Sequence, residues 1–384
     1  LVSLGAEFGE KNGWERVNFF SPGKSSRKAA DDQKKWGWGH APYHNLIREE
    51  CLAARDRVAV FDMSSFGKFE ISGPGTIELL QRVACNNIDI PIGSLVYTQF
   101  LNSKGGIESD LTICRLSSER FRVITGTSFL SNDLEWVRSQ APTDGSVKLC
   151  DVTEDFACIG LWGPRARDVL GQITRDAIDN DTFPYLSARQ MTVAGKSAWL
   201  QRVSYIGELG WEIYISNDDA VTVWDALLEQ GNEHGIRPAG YKALDSLRLE
   251  KGYVYWSSDV TPEDNLIEAG LSFCADMSKG DFIGRDALVK LKESGVETRL
   301  RTVVLEGNDL PAYGSESVWY KGKIVSRLRS AGHSHTTDQS MGYCYLPISL
   351  ADPETEVEIE LFGELISAKV SLPIHDPKGE RLKT

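Results

Sequence analysis

A glycine-containing turn between two alternating segments is the feature that most constrains the fold of this chain. Residues 102–106 end in Gly105 and Gly106, and the flanking residues 97–101 and 111–115 have the composition of β-strands. Glycine readily adopts the positive φ values that a tight hairpin turn needs. The segment therefore predicts an antiparallel hairpin, and the two faces of its sheet can be assigned from the sequence.

One carboxylate of this hairpin is a candidate for chemistry. Successive side chains of a strand point to opposite faces. Ile107, Leu111 and Ile113 then form the core face, and Asp110 points the other way together with Glu108. Asp110 is thus predicted to lie on regular structure outside the apolar layer, where its surroundings are either solvent or a cavity.

A second hairpin repeats this arrangement. Residues 198–205 and 211–215 suit strands and are separated by a glycine-containing break. The large apolar residues of the second strand share one face, which places Glu212 on the opposite face. Asp110 and Glu212 could line a single site, although two solvated surface acids would give the same pattern.

Composition limits the classes of protein to which the chain can belong. With 384 residues and 41% hydrophobic content, it can bury a large core in two or three domains. The formal net charge of −13, without a Lys- and Arg-rich block, argues against nucleic-acid binding. No apolar run approaches the roughly 20 residues of a membrane-spanning helix, and no signal peptide is recognisable. The chain begins with Leu1, which suggests a fragment or a processed product.

Neither disulfides nor a metal site are predicted. The seven cysteines are odd in number, widely spaced and never arranged as Cys-x-x-Cys, which predicts reduced thiols in the cytoplasm or, in a eukaryote, the mitochondrial matrix. His40 and His44 have helical spacing, but Pro42 lies between them and no acidic ligand follows at the zinc-protease spacing.

Helices and hairpins alternate along the chain, which predicts an α+β fold. No Gly-x-Gly-x-x-Gly follows a strand, so a dinucleotide-binding fold is not expected. From about residue 300, short strands separated by Gly, Pro and Asp predict a small β-barrel or sandwich. The predicted helices cover residues 43–55, 77–83, 165–170, 219–230 and 241–251, the last closed by Gly252, and the predicted barrel strands cover residues 301–305, 316–320, 323–328 and 356–361.

These patterns divide the chain into three parts. Residues 1–50 form an aromatic-rich leader that is expected to wrap over a larger body and to be anchored by tryptophans such as Trp36 and Trp38, although a ligand-binding loop is the alternative. Residues 51–296 form the α+β core, and residues 297–384 form the barrel domain.

Arg248 lies among apolar residues of the predicted helix 241–251. A buried salt bridge is one interpretation of such an arginine, and recognition of an anion is the other. No serine, cysteine or histidine has neighbours that suggest a nucleophilic triad, which makes an esterase or a protease improbable.

Four motifs in the same order resemble those of the T-protein of the glycine cleavage system, the tetrahydrofolate-dependent aminomethyltransferase. They occupy residues 61–64, 97–111, 205–212 and 247–252, and the resemblance runs from about residue 45 to the end of the chain. The leader, at residues 8–16, is similar to the connection that precedes the folate domain in dimethylglycine and sarcosine dehydrogenases. Because those enzymes carry an upstream FAD domain, the chain resembles their folate-binding half or a stand-alone relative.

The resemblance implies domains around a central channel for tetrahydrofolate, with a C-terminal barrel. Asp110 matches the family's catalytic carboxylate, which stabilises developing positive charge and manages the proton at folate N10. Tyr97 would lie beside the folate, and Glu212 would accept hydrogen bonds from the pteridine ring. Tyr205 and Arg248 are further cofactor-binding candidates, the latter for structural support or for the glutamate tail.

One departure from the family pattern concerns the strand end at residues 125–127. The T-protein has an asparagine there, whereas this chain has Thr125, Gly126 and Thr127. This leaves the contacts around the pteridine open and suits the dehydrogenase branch better.

The resemblance predicts an enzyme that captures a methylene unit from an N-methyl amine, or its iminium product, to form 5,10-methylenetetrahydrofolate. An FAD oxidoreductase domain, in the same polypeptide or in a partner, would belong to this reaction. A folate-dependent O- or S-demethylase is one alternative. The other is a catalytically idle regulatory relative, which the loss of Asp110 or Glu212 would have favoured.

Overall fold

The computed structural model describes residues 1–23, 39–307 and 310–383. The helices of these residues are α1 (His44–Asp56), α2 (Thr76–Val83), α3 (Leu130–Gln140), α4 (Ala166–Ile173), α5 (Asn217–Gly231), α6 (Tyr241–Lys251) and α7 (Arg285–Ser294). None of them is long and apolar enough to cross a membrane.

The described strands fall into an N-terminal group and a barrel group. The first group is β1 (Ala6–Lys11), β2 (Trp14–Phe20), β3 (Ala59–Asp62), β4 (Gly67–Ser72), β5 (Leu95–Leu101), β6 (Ile107–Ser117), β7 (Arg120–Thr125), β8 (Lys148–Asp151), β9 (Phe156–Trp162), β10 (Ala188–Val193), β11 (Lys196–Gln201), β12 (Gly210–Ser216) and β13 (Arg237–Ala239). The barrel group is β14 (Thr298–Leu305), β15 (Ser317–Tyr320), β16 (Lys323–Ser334), β17 (Gln339–Pro347), β18 (Glu356–Leu361) and β19 (Glu364–Ser371).

The strands form two large sheets, a hairpin and a closed barrel. One sheet has the order β10-β11-β12-β9-β3-β13, and the other has the order β5-β6-β7-β4-β8. Strands β1 and β2 pair with each other, and β14-β17-β16-β15-β18-β19 close into the barrel. The predicted α+β fold with a C-terminal barrel is confirmed.

The two large sheets face each other across a shared layer. Ile124 of β7 packs in one core cluster with Cys158 of β9 and Tyr214 of β12. Trp199 of β11 packs against a cluster that contains Leu95 of β5 and Cys114 of β6, which again joins the two sheets. Each sheet buries its opposite face against its own helices, α4 and α5 for the six-stranded sheet and α2 and α3 for the five-stranded sheet.

Local sequence signals predict several elements together with the residues at which they end. Helix α6 covers residues 241–251 as predicted, and Gly252 ends it at φ 83° while its N–H donates to the carbonyls of Arg248 and Leu249. The first hairpin is also present, since Gln99 of β5 pairs with Asp110 of β6.

Other elements were not identified from the sequence. These include helices α3 and α7, the leader hairpin β1–β2 and the barrel strands β17 and β19. The strands depend on partners that the local pattern does not reveal. Val17 and Phe20 of β2 are buried in the main core. The predicted tryptophan anchors Trp36 and Trp38 lie outside the described residues.

A buried carboxylate fastens the leader hairpin to the body. Glu50 of α1 accepts hydrogen bonds from the backbone N–H of Phe20 at 2.6 Å and of Gly240 at 2.9 Å. Burial raises the pKa of Glu50 to about 8, against the two hydrogen bonds that lower it.

A buried arginine joins the helices to the barrel. Arg55 of α1, 3% exposed, donates to Glu208 at 3.0 Å, to Glu250 of α6 at 2.9 Å and to the carbonyls of Ile206 and Leu247. Glu250 in turn accepts from Ser334 and Thr336 of the barrel at 2.9 and 2.8 Å. One hydrogen-bonded network therefore spans α1, α6 and the barrel.

Replacing Arg55 with methionine is expected to lower the free energy of unfolding by about 3–5 kcal/mol, because it leaves Glu250 buried without its cation, whereas Glu208 keeps Arg381 at 2.7 Å. Urea unfolding followed by circular dichroism measures the change. Arg138→Met is the control, since Arg138 and its partner Glu135 are 50% and 63% exposed and such pairs contribute about 0–1 kcal/mol. Equal effects of the two substitutions would contradict this account.

Candidate functional site

The layer between the two large sheets carries an unusual number of polar side chains. Directly paired residues of an antiparallel ladder point to the same face, so the strand register identifies the inward set. From the five-stranded sheet it comprises Tyr97, Gln99, Asp110, Thr112 and Lys68, and from the six-stranded sheet it comprises Trp199, Gln201, Glu212 and Tyr214.

Asp110 lies at one end of this layer and is partly buried. Its Oδ1 accepts a hydrogen bond from Gln99 Nε2 at 2.7 Å, and the carboxylate also accepts from the hydroxyl of Tyr97. Burial raises the pKa of Asp110 to about 6, although both hydrogen bonds lower it and the nearby Asp133 raises it. Between solvent and cavity, the two surroundings left open by the sequence, the structure favours an enclosed one.

Asp133 of α3 is a second carboxylate that the sequence analysis did not identify. It is 1% exposed and accepts hydrogen bonds from Ser109 Oγ at 2.7 Å and from Thr125 Oγ1. Burial raises its pKa to about 6. Asp133 therefore contributes a negative charge beside Asp110 while holding β6 and β7 against α3.

The two threonines that depart from the family pattern both make hydrogen bonds within the protein. Thr125 donates to Asp133, and the hydroxyl of Thr127 lies 3.0 Å from that of Ser65. These two hydrogen bonds hold the end of β7 against α3 and against the segment that follows β3.

Aromatic side chains connect the two ends of the layer. Burial raises the pKa of Tyr205, the Arg248 guanidinium lowers it and the Asp110 carboxylate raises it, so the three groups are close neighbours. Tyr205 stacks on Tyr253 with ring centroids 6.2 Å apart, and Tyr253 hydrogen-bonds to Tyr185.

Glu212 occupies the far end of this row of tyrosines. Its Oε2 accepts a hydrogen bond from Tyr214 at 2.6 Å, and its charge raises the pKa of Tyr185. Burial raises the pKa of Glu212 to about 7, against Tyr214 and Lys68, which lower it. Glu212 is 7% exposed, so its strand face is buried by the facing sheet and is not solvated.

Gln201 is a neighbour of Glu212 that sequence reasoning missed. The two residues are directly paired between β11 and β12, so their side chains share the inward face. Gln201 is fully buried, and neither its Oε1 nor its Nε2 has a hydrogen-bond partner among the described residues. An unsatisfied buried amide costs about 1–3 kcal/mol, which calls for a functional explanation.

Arg248 has partners on several sides. It donates to Asp259 at 2.5 Å, to Asp245 at 2.8 Å and to Ser330 of the barrel at 2.8 Å. The structure thus places this guanidinium within a buried network, as the salt-bridge interpretation expects, and Tyr205 lies close to both Arg248 and Asp110.

Family models match nearly the whole chain. The GCVT N-terminal domain matches residues 1–279, and the glycine cleavage T-protein C-terminal barrel domain matches residues 299–375. The chain belongs to the glycine cleavage T-protein family. The family predicted from four motifs is confirmed, and so is an aminomethyltransferase-like enzyme.

Two curated relatives show to which members of that family the chain is similar. The chain is 39% identical to 4-methylaminobutanoate oxidase (formaldehyde-forming) of Paenarthrobacter nicotinovorans over 100% of its own length and 46% of the oxidase. It is 33% identical to mitochondrial dimethylglycine dehydrogenase of Homo sapiens over 97% of its length and 43% of that enzyme. The chain spans about half the length of the curated relatives it matches.

A solved structure supports the fold. The glycine cleavage system aminomethyltransferase T from Bartonella henselae superimposes with a TM-score of 0.82 at 23% identity, over 97% of this chain and 95% of that one. At this identity the likeness concerns the fold alone.

The site can be tested against tetrahydrofolate, on which this family depends. A pteridine edge offers adjacent N–H donors and a carbonyl acceptor, and Glu212 beside the unpartnered amide of Gln201 offers an acceptor next to a group that both donates and accepts. The donor set of this end of the layer therefore fits the ring.

Glu212→Gln is expected to stabilise the ligand-free protein at pH 8 but not at pH 4. The pKa of Glu212 in the folded protein, about 7, lies above its ordinary value of 4.5. The stability that protonated Glu212 contributes is therefore fully present below pH 4.5 and is lost as the pH rises through about 7. The difference corresponds to about 3 kcal/mol at most.

Thermal unfolding of both proteins from pH 4 to pH 8 measures this effect, and Glu135→Gln on the exposed surface is the control. A stability difference that did not change with pH would show that Glu212 is not held in the buried environment described here.

Proposed function

We propose that this chain takes up a one-carbon unit at the oxidation level of formaldehyde from an N-methyl amine onto tetrahydrofolate, with Asp110 as the catalytic carboxylate. The observation that carries the proposal is the placement of Asp110 and Glu212 on the facing inner sides of two sheets, joined by Tyr205, Tyr253 and Tyr185. The enclosed layer supplies an acid–base group at one end and a recognition end at the other.

Asp110 acts on the reacting end. As a carboxylate, it offers negative charge to a cationic amine or iminium and can accept a proton from a nitrogen of the reacting pair. The hydrogen bonds from Tyr97 and Gln99 keep it oriented. Tetrahydrofolate, when bound, supplies the nitrogen atoms that receive the carbon unit.

Glu212 and Gln201 act on the recognition end, where they would accept from and donate to the pteridine edge. Tyr205 offers an aromatic face between the two ends, and Tyr97 a second one beside Asp110. Arg248 is assigned structural support, because its bonds to Asp245, Asp259 and Ser330 join α6 to the barrel.

The amine must be oxidised before its carbon unit can be transferred. Oxidation of an N-methyl amine to an iminium removes two electrons, and an FAD oxidoreductase domain in the same polypeptide or in a partner would accept them. The two relatives are named as an oxidase and a dehydrogenase, and the chain matches less than half of each. The identity of the amine and the cellular compartment remain predictions.

Asp110→Asn is expected to lower folate-coupled turnover by about 10²–10⁴-fold, the usual contribution of a positioned acid–base group. The assay supplies tetrahydrofolate and formaldehyde and measures 5,10-methylenetetrahydrofolate by chromatography. Glu108→Gln, on the same strand, is the control and should retain activity. Unchanged turnover in Asp110→Asn would overturn the proposal.

The pH profile provides a second reading of the same group. Turnover of the unmodified chain should rise with pH through about 6, as Asp110 loses its proton. Tyr97→Phe removes a hydrogen bond that lowers this pKa, so the rise should move to higher pH.

Formation of 5-methyltetrahydrofolate from a methyl donor would instead support an O- or S-demethylase.

Gln201→Leu is expected to weaken tetrahydrofolate binding about 10- to 100-fold, because the ring would lose an amide partner worth about 1–3 kcal/mol. Isothermal titration calorimetry measures the dissociation constant. Gln190→Leu is the matched control, since Gln190 lies exposed on the adjacent strand β10. Equal affinities of the two variants would remove Gln201 from the site.

A further inference from the structure

Four of the six histidines of the chain lie together, outside the folate site. His40 precedes α1 and His44 begins it, whereas His333 and His335 lie at the end of β16, nearly 300 residues later. The ring centroids of His40 and His44 are 4.0 Å apart, those of His44 and His335 are 4.7 Å apart, and those of His44 and His333 are 4.8 Å apart. The cluster therefore bridges the N-terminal helix and the barrel.

The nitrogen atoms of three of these rings are close enough to share one ion. His44, His333 and His335 each offer a ligand atom within 4.8 Å of the other two, so some point lies no more than about 2.8 Å from all three. Zinc–imidazole bonds are about 2.0–2.1 Å long, and a shift of less than about 1 Å per ring would close the site.

The hydrogen bonding of the cluster leaves ligand atoms available. His333 Nε2 lies 3.1 Å from Asp338 Oδ1, and a nitrogen that donates its proton to a carboxylate leaves the other nitrogen as a lone-pair donor. That atom, His333 Nδ1, and also His335 Nδ1, are buried without a hydrogen-bond partner among the described residues.

The two halves of the cluster are fixed to one carboxylate. Glu250 accepts hydrogen bonds from Ser334 and Thr336, which alternate with the two barrel histidines, and from Arg55 of the helix that begins at His44. The imidazoles are thus held in place by groups that do not belong to the cluster, as metal ligands usually are.

The surroundings keep the imidazoles neutral, which is the form that binds metal. Burial, together with smaller contributions from the neighbouring histidines and Arg48, lowers the pKa of His44 to about 4 and that of His335 to about 3. Asp338 supplies a negative charge at the rim of the cluster.

From this geometry we infer that the chain binds one divalent transition-metal ion of the zinc type at His44, His333 and His335. Three protein ligands with a water molecule in the fourth position are an established arrangement for zinc. The ion would tie α1 to the β16–β17 hairpin. This inference is independent of the proposed folate chemistry.

Tag-free protein, stripped with EDTA and passed into chelator-free buffer, provides the test. Titration with ZnCl₂ should show one equivalent bound at micromolar affinity or tighter, and the bound metal should raise the melting temperature by several degrees. CoCl₂ in its place should give the visible absorption of a four-coordinate ion.

Variants separate this site from adventitious binding. His335→Gln and His44→Gln should each lower the zinc affinity at least 10-fold and abolish the rise in melting temperature, whereas His234→Gln, outside the cluster, should behave as the parent chain. Circular dichroism verifies that each variant is folded. Absence of stoichiometric zinc binding, or undiminished binding by both cluster variants, would overturn the inference.

Discussion

The contact between Arg55 and Glu250 is the interaction on which the arrangement of the chain depends. The Arg55 guanidinium donates to Glu250 of α6 and to Glu208 in the loop before β12. The Glu250 carboxylate in turn accepts a hydrogen bond from Ser334 of the barrel. Replacing such a network with apolar groups can leave stability unchanged, but removing one member is costly. Its value lies in specifying one relative placement of α1, α6 and the barrel, because only that placement satisfies every hydrogen bond.

This relative placement matters because the residues of the candidate site come from several different elements. Asp110 belongs to the five-stranded sheet and Glu212 to the six-stranded one, while Arg248 joins α6 to the barrel. The layer between the sheets is polar where an apolar core would be more stable. Such concentrations of buried carboxylates with raised pKa values are typical of sites where binding or proton transfer occurs.

Local sequence signals predicted those parts of the fold that depend on neighbouring residues. Helix α6 with Gly252, the first hairpin and the direction of Asp110 all follow from spacing within about 15 residues. The sequence alone did not reveal contacts between distant segments. Asp133 is placed beside Asp110 by its hydrogen bonds to Ser109 and Thr125, and the amide of Gln201 is placed beside Glu212 by the strand register.

The histidine cluster is a second example of contacts between distant segments that the sequence alone does not reveal. In the sequence His40 and His44 form an isolated pair, and the intervening Pro42 argues against a metal site. Their neighbours His333 and His335 come from the barrel, and no spacing rule connects residues so far apart. The family resemblance carried the function further than local physics because four ordered motifs contain long-range information that no single motif holds.

The path of the chain through the two sheets has a consequence for how the molecule can be divided. The chain enters the six-stranded sheet at β3, leaves it for β4 to β8, and returns for β9 to β13. The five-stranded sheet is one continuous segment, whereas the six-stranded sheet is divided around it, so a cut between β4 and β8 would separate β3 from the strands with which it pairs. The five-stranded sheet is thus an insertion between two strands that pair with each other, β3 and β9, and circular permutation within this region would have to preserve both crossings between the sheets.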